Sequence, residues 1–358
     1  MEWQRVRSSA YLVVVIAVFL ALVTGVYAQG EGVLLLRFEG AVTPILLNYL
    51  ERGIARAEAV GAEAIILQLD TPGGSVDIMQ RITQRILSAP VPVIVYVAPS
   101  GAHASSAGTL ITLAGHLAAM APGTTIGAAS PVTSEGADLS DTMKSKAVNT
   151  LVKDAQNLAR RRGEAAIEWA GKAVSEAATA SDEEALALGV IDAVAINVDD
   201  LLAQLDGKQV NIGNELVTLH LASQPVVPFP MDAVEQFFKV IINPAIATIL
   251  LTIGVQAILI ELSSPGGWVA GFVGAVCLLL AFYSLGALNA NWFGLALIAL
   301  AFILFALELK APTFGALTLA GILSFIAGAA VLFSTPTTRI PWATIITLAL
   351  MTAAFFAF

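Results

Sequence analysis

Cysteine, histidine and charged residues are all scarce in this 358-residue chain. Its single cysteine, Cys277, stands within an apolar stretch, so one chain can form neither a disulfide framework nor a thiolate metal site. The three histidines, His103, His116 and His220, are too scattered to form a metal-ligand motif. We therefore expect neither a metal nor a cofactor.

Positive charge is also in short supply. Eighteen Lys and Arg residues stand against 27 Asp and Glu residues, for a net charge of −9, and no basic stripe exists that could neutralise a nucleic-acid backbone. We interpret the longest basic run, residues 160–162, as a solvated helix end. Gly171-Lys172 lacks the earlier glycines of a phosphate-binding loop, so no dependence on ATP is expected.

Apolar residues, in contrast, make up 57% of the chain, and the mean hydropathy of +0.81 is too high for a soluble protein. Beyond residue 244 the sequence is almost continuously apolar, with interruptions at residues 263–267, 286–291, 310–315 and 334–341. Each apolar segment has about the ~20 residues that a bilayer core requires, so residues 236–358 are predicted to form an all-α, multi-pass membrane domain of about five helices. Trp268, Trp292 and Trp342 stand at the predicted helix starts, as interfacial anchors do.

A short repeat lies within this half of the chain. Glu261 precedes Gly274 at the same spacing at which Glu308 precedes Gly321, and each glutamate stands beside a proline turn. The two carboxylates are either intramembrane acids of an ion path or caps of the helices that follow. We favour the structural interpretation.

The N-terminus has the pattern of an export signal. Arg5 and Arg7 precede the apolar residues 11–26, and Val26-Tyr27-Ala28 resembles a cleavage site. Residues 1–28 are predicted to be a signal peptide, with an uncleaved anchor helix as the alternative. Either one places the following domain outside the cytoplasm.

Residues 29–197 alternate short β-branched runs with helical stretches, which is typical of an α/β domain. Residues 198–235 are predicted to be a connector containing a small helix and a hairpin that turns at residues 211–214. The predicted strands are residues 33–38, 64–69, 93–97, 117–120 and 190–193, and the predicted helices include residues 41–60, 76–87 and 139–162.

Three motifs within the α/β domain point to hydrolysis. Asp70-Thr71-Pro72-Gly73-Gly74 follows one predicted strand, Ser105-Ser106-Ala107-Gly108 opens a predicted helix, and Lys146 lies further along. A serine hydroxyl becomes a nucleophile when a base takes its proton and backbone amides stabilise the oxyanion. Taken alone, the two serines are equally consistent with ordinary helix caps.

In this combination and order, the motifs resemble the NfeD family of membrane-bound serine proteases, and the resemblance extends over nearly the whole chain after the signal. It implies a Clp-protease/crotonase-like fold for the first domain. It also implies that Ser106 is the nucleophile, with Ser105 as its rival, and that Lys146 is the general base, with Lys144 and Lys153 as competitors. An exposed lysine amine is protonated at neutral pH, so this role requires burial of Lys146 against the Ser106 turn.

The backbone amides of Gly73 and Ala107 are expected to form the oxyanion hole, with Gly74 as the alternative to Gly73. A histidine base is disfavoured because His116 lies about 15 Å along a helix from Ser106. The turn-rich residues 130–138 are either a lid that delivers Lys146 or an ordinary surface loop. Substrate is expected to lie extended near Gly73, with apolar pockets selecting its side chains.

The resemblance further implies a homo-oligomer that acts on hydrophobic peptide segments, including those of stomatin- or prohibitin-like membrane proteins. Long members of the family continue into an OB-like barrel, which we do not expect within this sequence because it stops at Phe358. The sequence thus predicts a membrane-anchored serine endopeptidase. The alternatives are a noncatalytic scaffold that organises stomatin-like partners and, more remotely, a transport subunit built on Glu261 and Glu308.

Overall fold

The computed structural model of the chain describes residues 32–131, 141–263, 268–288, 290–310, 313–333 and 340–357. The predicted signal peptide and residues 132–138 of the predicted lid lie outside these ranges. The described part divides into an α/β domain followed by apolar helices, which is the predicted order.

Apolar β-branched runs form a six-stranded sheet in which every described strand pair is parallel. Side chains of both faces are buried, as expected for parallel strands covered by helices on either side. In the order β11-β1-β2-β3-β5-β8, the strands are β1 (Val33–Glu39), β2 (Ala64–Asp70), β3 (Val93–Val97), β5 (Leu117–Met120), β8 (Ala193–Val194) and β11 (Val226–Pro228).

Helices cover both faces of this sheet. On one face α1 (Pro44–Val60) and α2 (Val76–Leu87) pack with α3 (Ala107–Ala114), every residue of which is buried. The helices α4 (Asp141–Ala159) and α5 (Glu164–Ser175) complete that layer. The opposite face is covered by the helix and hairpin of the predicted connector, α7 (Val198–Leu205), β9 (Gln209–Ile212) and β10 (Glu215–Thr218). A short helix, α6 (Asp182–Ala187), opens with a capping box at Ser181.

Two features of the α/β domain differ from the sequence prediction. The predicted connector also supplies β11, which pairs with β1, so the α/β unit extends through Pro228 instead of ending at residue 197. A separate small sheet, β4 (His103–Ala104), β6 (Thr125–Gly127) and β7 (Thr179–Ser181), was not predicted because its strands are too short to show periodicity.

The basic run at residues 160–162 is only in part the solvated helix end that was predicted, since Arg160 and Arg161 are exposed but the side chain of Arg162 is not. It forms a 3-10 turn after α4, and the Arg161 guanidinium donates to the carbonyls of Leu113 and Ala114 at the end of α3. Arg162 donates to Gly115 O at 3.0 Å and pairs with Asp192 at 2.8 Å, with only 3% of its side chain exposed. The cations therefore complement the dipole of a different helix, which is a tertiary contact.

Five apolar helices follow the amphipathic helix α8 (Ala233–Ile241): α9 (Pro244–Ser263), α10 (Val269–Ala287), α11 (Trp292–Lys310), α12 (Ala316–Leu332) and α13 (Trp342–Ala357). Two of them, α9 and α10, are long and apolar enough to cross a membrane by length and composition. The apolar stretches Trp292–Glu308, Ala316–Leu332 and Trp342–Phe356 are shorter. Pairs α9–α10 and α11–α12 form hairpins, and α13 packs across them.

The internal repeat has a structural counterpart in these hairpins. Glu261 accepts from the amides of Trp268 and Gly271, the N-cap and third residue of α10. Glu308 accepts from the equivalent amides of Gly315 and Thr318 at α12. In each hairpin a carboxylate at the end of one helix thus caps the next, as the structural interpretation requires.

Candidate active site

The two motifs singled out in the sequence lie side by side at the carboxyl end of β2. Backbone hydrogen bonds run from Thr71 N to His103 O at 2.7 Å and from Ser105 N to Thr71 O at 3.0 Å. Thr71 is fully buried between the two segments. The open sheet therefore brings Asp70-Thr71-Pro72-Gly73-Gly74 against the start of α3, at the edge where α/β proteins commonly bind ligands.

Ser106 has a backbone conformation that residues with a side chain rarely adopt. Its φ is +53° and its ψ is −115°, and its amide donates to Ala128 O at 2.6 Å. Such a conformation costs about 1–3 kcal/mol and persists only when the surroundings impose it. Although Ser106 is the N-cap of α3, its side chain makes no capping hydrogen bond, so the helix-cap alternative does not describe it. Its half-buried hydroxyl is left for other chemistry.

Gly73 is in contact with Ser106. A Cβ on Gly73 would lie 2.6 Å from Ser106 Cβ and 3.1 Å from Ser106 Oγ, and the φ of Gly73 is +112°. Both the backbone conformation and the space therefore demand glycine at this position. The structure thus brings together Gly73 and Ser106, two of the residues that the sequence placed in the site.

The candidate oxyanion amides differ in their hydrogen bonds. The amide of Gly73 donates to Thr71 Oγ1 at 3.1 Å. The amides of Gly74 and Ala107 have no acceptor within the described ranges. Ala107 is the first residue of α3, so its amide lies at the positive end of the helix dipole. A free amide at a helix N-terminus, beside a serine hydroxyl, is suited to a developing negative charge.

Lys146 is not brought to this turn. Its side chain is exposed in the first half of α4, and it makes no hydrogen bond or ion pair to any residue that the structure describes. The burial that its role as a base requires is therefore missing in this conformation. Its competitor Lys153 bonds to Gln156 at 3.1 Å, and the side chain of Lys144 lies outside the described residues.

The histidines near the site have structural roles. His116 is buried beyond the far end of α3, where its Nδ1 accepts from Val93 N at 3.0 Å. Burial, with the neighbouring Arg161 charge, lowers the pKa of His116 to about 4. His103 is exposed and precedes the turn, and among the described residues no histidine bonds to Ser106. No group of three or more potential ligands for a metal ion occurs in the part of the chain described.

Two residues of the site were not predicted. The buried Thr71 holds the Gly73 amide, and Ala128 supplies the carbonyl that fixes Ser106 N. The threonine could have been noticed as the polar residue between a strand and the Pro-Gly-Gly turn. The alanine acts through its backbone, which carries no signal in a sequence.

Comparison with known proteins agrees with this geometry. Residues 33–214 match the model of the NfeD1b N-terminal domain, and residues 245–358 match that of the NfeD integral membrane domain. The chain belongs to the NfeD family. It is 37% identical over 301 residues to the membrane-bound protease PH1510 of Pyrococcus horikoshii, a match that covers 83% of this chain and 68% of that protein.

Solved structures of the N-terminal part of a related protease are similar to the α/β domain. A serine-to-alanine variant of the 1510-N membrane-bound stomatin-specific protease is 36% identical, with a TM-score of 0.53 over 56% of this chain and 99% of that one. A lysine-to-alanine variant in complex with a substrate peptide is 34% identical, with a TM-score of 0.54 over 59% and 97% of the two chains. The NfeD chain described here is accordingly a membrane protein and a serine endopeptidase, and its predicted fold class is confirmed.

Proposed function

We propose that this NfeD protein is a multi-pass serine endopeptidase that uses Ser106 as nucleophile and Lys146 as general base. We further propose that it cleaves apolar segments of membrane proteins without ATP. The observation that carries the proposal is the conformation of Ser106, whose φ of +53° is maintained at the start of α3 although its hydroxyl makes no capping bond. Strain of this kind is concentrated at functional sites.

In the proposed reaction Ser106 Oγ attacks the carbonyl carbon of the scissile bond while its proton passes to the neutral amine of Lys146. The amide of Ala107 and that of Gly73 or Gly74 stabilise the oxyanion. Collapse of the intermediate transfers the proton from Lys146 to the leaving amine and leaves an acyl group on Ser106. Water, deprotonated by Lys146, then releases the acyl group.

The proposal makes a geometric demand on α4. Lys146 Nζ must come within ~2.6–3.2 Å of Ser106 Oγ, and it must lose its contact with bulk water there to be neutral. Catalytic hydrogen bonds of free enzymes are often long and shorten when substrate binds. The relative whose structure was solved as a lysine-to-alanine variant with a substrate peptide supports a part for a lysine in this chemistry.

The substrate class is proposed from the relatives and from the membrane helices. The solved relative is described as specific for stomatin, so we propose a stomatin- or prohibitin-like membrane protein as partner and its apolar segments as substrate. Five helices would hold an extracytoplasmic, homo-oligomeric peptidase domain at the bilayer surface.

The experiment that tests the dyad uses the full chain in lipid nanodiscs with apolar peptides and no ATP. Ser106→Ala and Lys146→Ala are each expected to reduce kcat by at least ~10³-fold, as removal of a nucleophile or its base does. The matched controls are Ser105→Ala and Lys153→Ala, which we expect to retain activity. Full activity of Lys146→Ala would exclude it as the base, and cleavage by Ser106→Ala would exclude the proposed nucleophile.

A further inference from the structure

A cavity of about 290 Å³ lies between the peptidase domain and the membrane helices. The loop after β1 contributes Ala41 to its wall, and the loop of the candidate active site contributes Pro72. The opposite wall is formed by Ile242, just before α9, and by Leu288, the residue that follows α10. None of these four residues has a role in the dyad proposed above.

The interior of the cavity is suited to an apolar group. Its charged lining residues, Glu39 and Lys239, are exposed at the rim, and the Lys239 amine lies 5.5 Å from the centre of the Phe38 ring. This volume is just below the ~300–1,000 Å³ that is usual for ligand pockets, so the cavity suits one or two side chains better than a helix. The large apolar lining residues are nearly buried: Phe38, Ile45, Ile242 and Leu288.

Hydrogen bonds join the cavity wall to the candidate active site. Gly40 N donates to Asp70 O at 3.0 Å, Val42 N donates to Gly73 O at 2.7 Å, and Ser75 N donates to Val42 O at 3.0 Å. The wall loop therefore forms an isolated parallel β-bridge, Val42 to Gly74, with the glycine segment that contacts Ser106. Pro72, which lines the cavity, is the residue immediately before Gly73.

The cavity also lies at the end of a membrane hairpin. Pro244, a further lining residue, is the first residue of α9, and Leu288 is the C-cap of α10. The cavity therefore touches both the end of this hairpin and Pro72, the neighbour of the glycine that contacts Ser106. This is the position expected of a site that receives a polypeptide from the membrane side.

We propose that this cavity is a specificity subsite, which binds a large apolar side chain of the substrate polypeptide close to the scissile bond. The inference rests on the proposed function, because the bond that is cut lies at Ser106. It assigns to residues of the membrane domain, Ile242 and Leu288, a part in choosing the cleavage site. The isolated peptidase domain would lack this selection.

The test measures a preference in the full chain in nanodiscs. Peptides that differ at single positions near the cleavage site, with Leu, Phe or Ser there, are compared by kcat/KM. The wild type is expected to prefer the large apolar residue at one position by at least ~10-fold. Ala41→Phe fills the cavity, so it should raise KM for the peptide with the large apolar residue and bring the ratio of kcat/KM values close to one. Ile242→Ala enlarges the cavity and should shift the preference from Leu toward Phe.

The controls separate this inference from the proposed function. Leu319→Phe places the same bulk on a side chain that is 61% exposed on α12 and should keep the wild-type preference. Because a preference is a ratio measured in one preparation, partial loss of folded protein does not alter it. Failure of a small fluorophosphonate to label Ser106 in the wild type would refute the proposed function. Labelling together with an unchanged preference in both cavity variants would refute the subsite.

Discussion

Gly73 and Ser106 are packed so closely that a methyl group on the glycine would lie 2.6 Å from the serine Cβ. The two residues come from different strand-to-helix connections, and the contact places the backbone amides of the glycine segment beside the hydroxyl. It is the point at which the two sequence motifs become one site, and it can be tested by substitution.

We expect Gly73→Ala to reduce peptide cleavage by at least ~10²-fold, because the added methyl must displace Ser106 or the amide beside it. The measurement is kcat/KM on an apolar peptide. Gly101→Ala is the matched control, since Gly101 also has a positive φ, +85°, but has nothing within 4 Å of an added Cβ. It should lose about 1 kcal/mol of stability and keep its activity. Equal activity losses in the two variants would show that backbone strain alone is responsible.

Ser106→Gly should inactivate the enzyme and stabilise it. Glycine adopts a φ of +53° without the steric cost that serine bears, and this relief exceeds the added entropy of the unfolded chain by about 0.5–1.5 kcal/mol. Urea unfolding of residues 32–230, followed by fluorescence of Trp169, the single tryptophan of that fragment, measures the change. Ser105→Gly, at a residue without positive φ, should instead destabilise the fragment by about 0.5–1 kcal/mol. A loss of stability in Ser106→Gly contradicts the assignment of strain.

Because His116 is buried, we expect the folded domain to lose stability in acid. Burial lowers the folded pKa of this histidine from 6.5 to about 4, so the neutral form is favoured by the fold. Its contribution is therefore fully present above pH ~6.5 and disappears as the pH falls through 4, at a cost of about 3 kcal/mol. His116→Asn, which can still accept from Val93 N, should flatten the urea-unfolding free energy of residues 32–230 between pH 6.5 and 4. The same substitution at the exposed His103 is the control. Parallel profiles for wild type and His116→Asn would contradict the prediction.

Glu308 and Glu261 should matter for stability and not for cleavage chemistry. Glu308 accepts from the amides of Thr313, Gly315, Leu317 and Thr318, and Glu308→Ala removes this shared acceptor, leaving Leu317 N with Thr313 Oγ1 at 3.2 Å. We expect a loss of about 1–3 kcal/mol, measured as thermal unfolding in detergent, with a smaller loss for Glu308→Gln. Peptide cleavage per folded molecule should not change. An unaltered unfolding temperature together with altered ion flux would favour the transport interpretation instead.

Much of this protein is determined by its sequence. The β-branched runs at residues 33–38, 64–69 and 93–97 form strands of the main sheet because they are apolar on both faces, and uninterrupted apolar segments after residue 244 form helices. Local patterns carry such features because they depend on neighbouring residues alone. That Gly73 and Ser106 belong to one site was expected from the family resemblance of the two motifs, whereas their direct contact is tertiary.

Only the tertiary structure decided the remainder. It assigned β11 to the edge of the main sheet, and it turned a basic run into a cap for α3 through Arg161 and Arg162. No local sequence pattern predicts that Lys146 is exposed, and none predicts the cavity between Pro72 and Leu288. Each depends on atoms that are distant in the chain and meet through packing, so no single stretch of sequence contains the information.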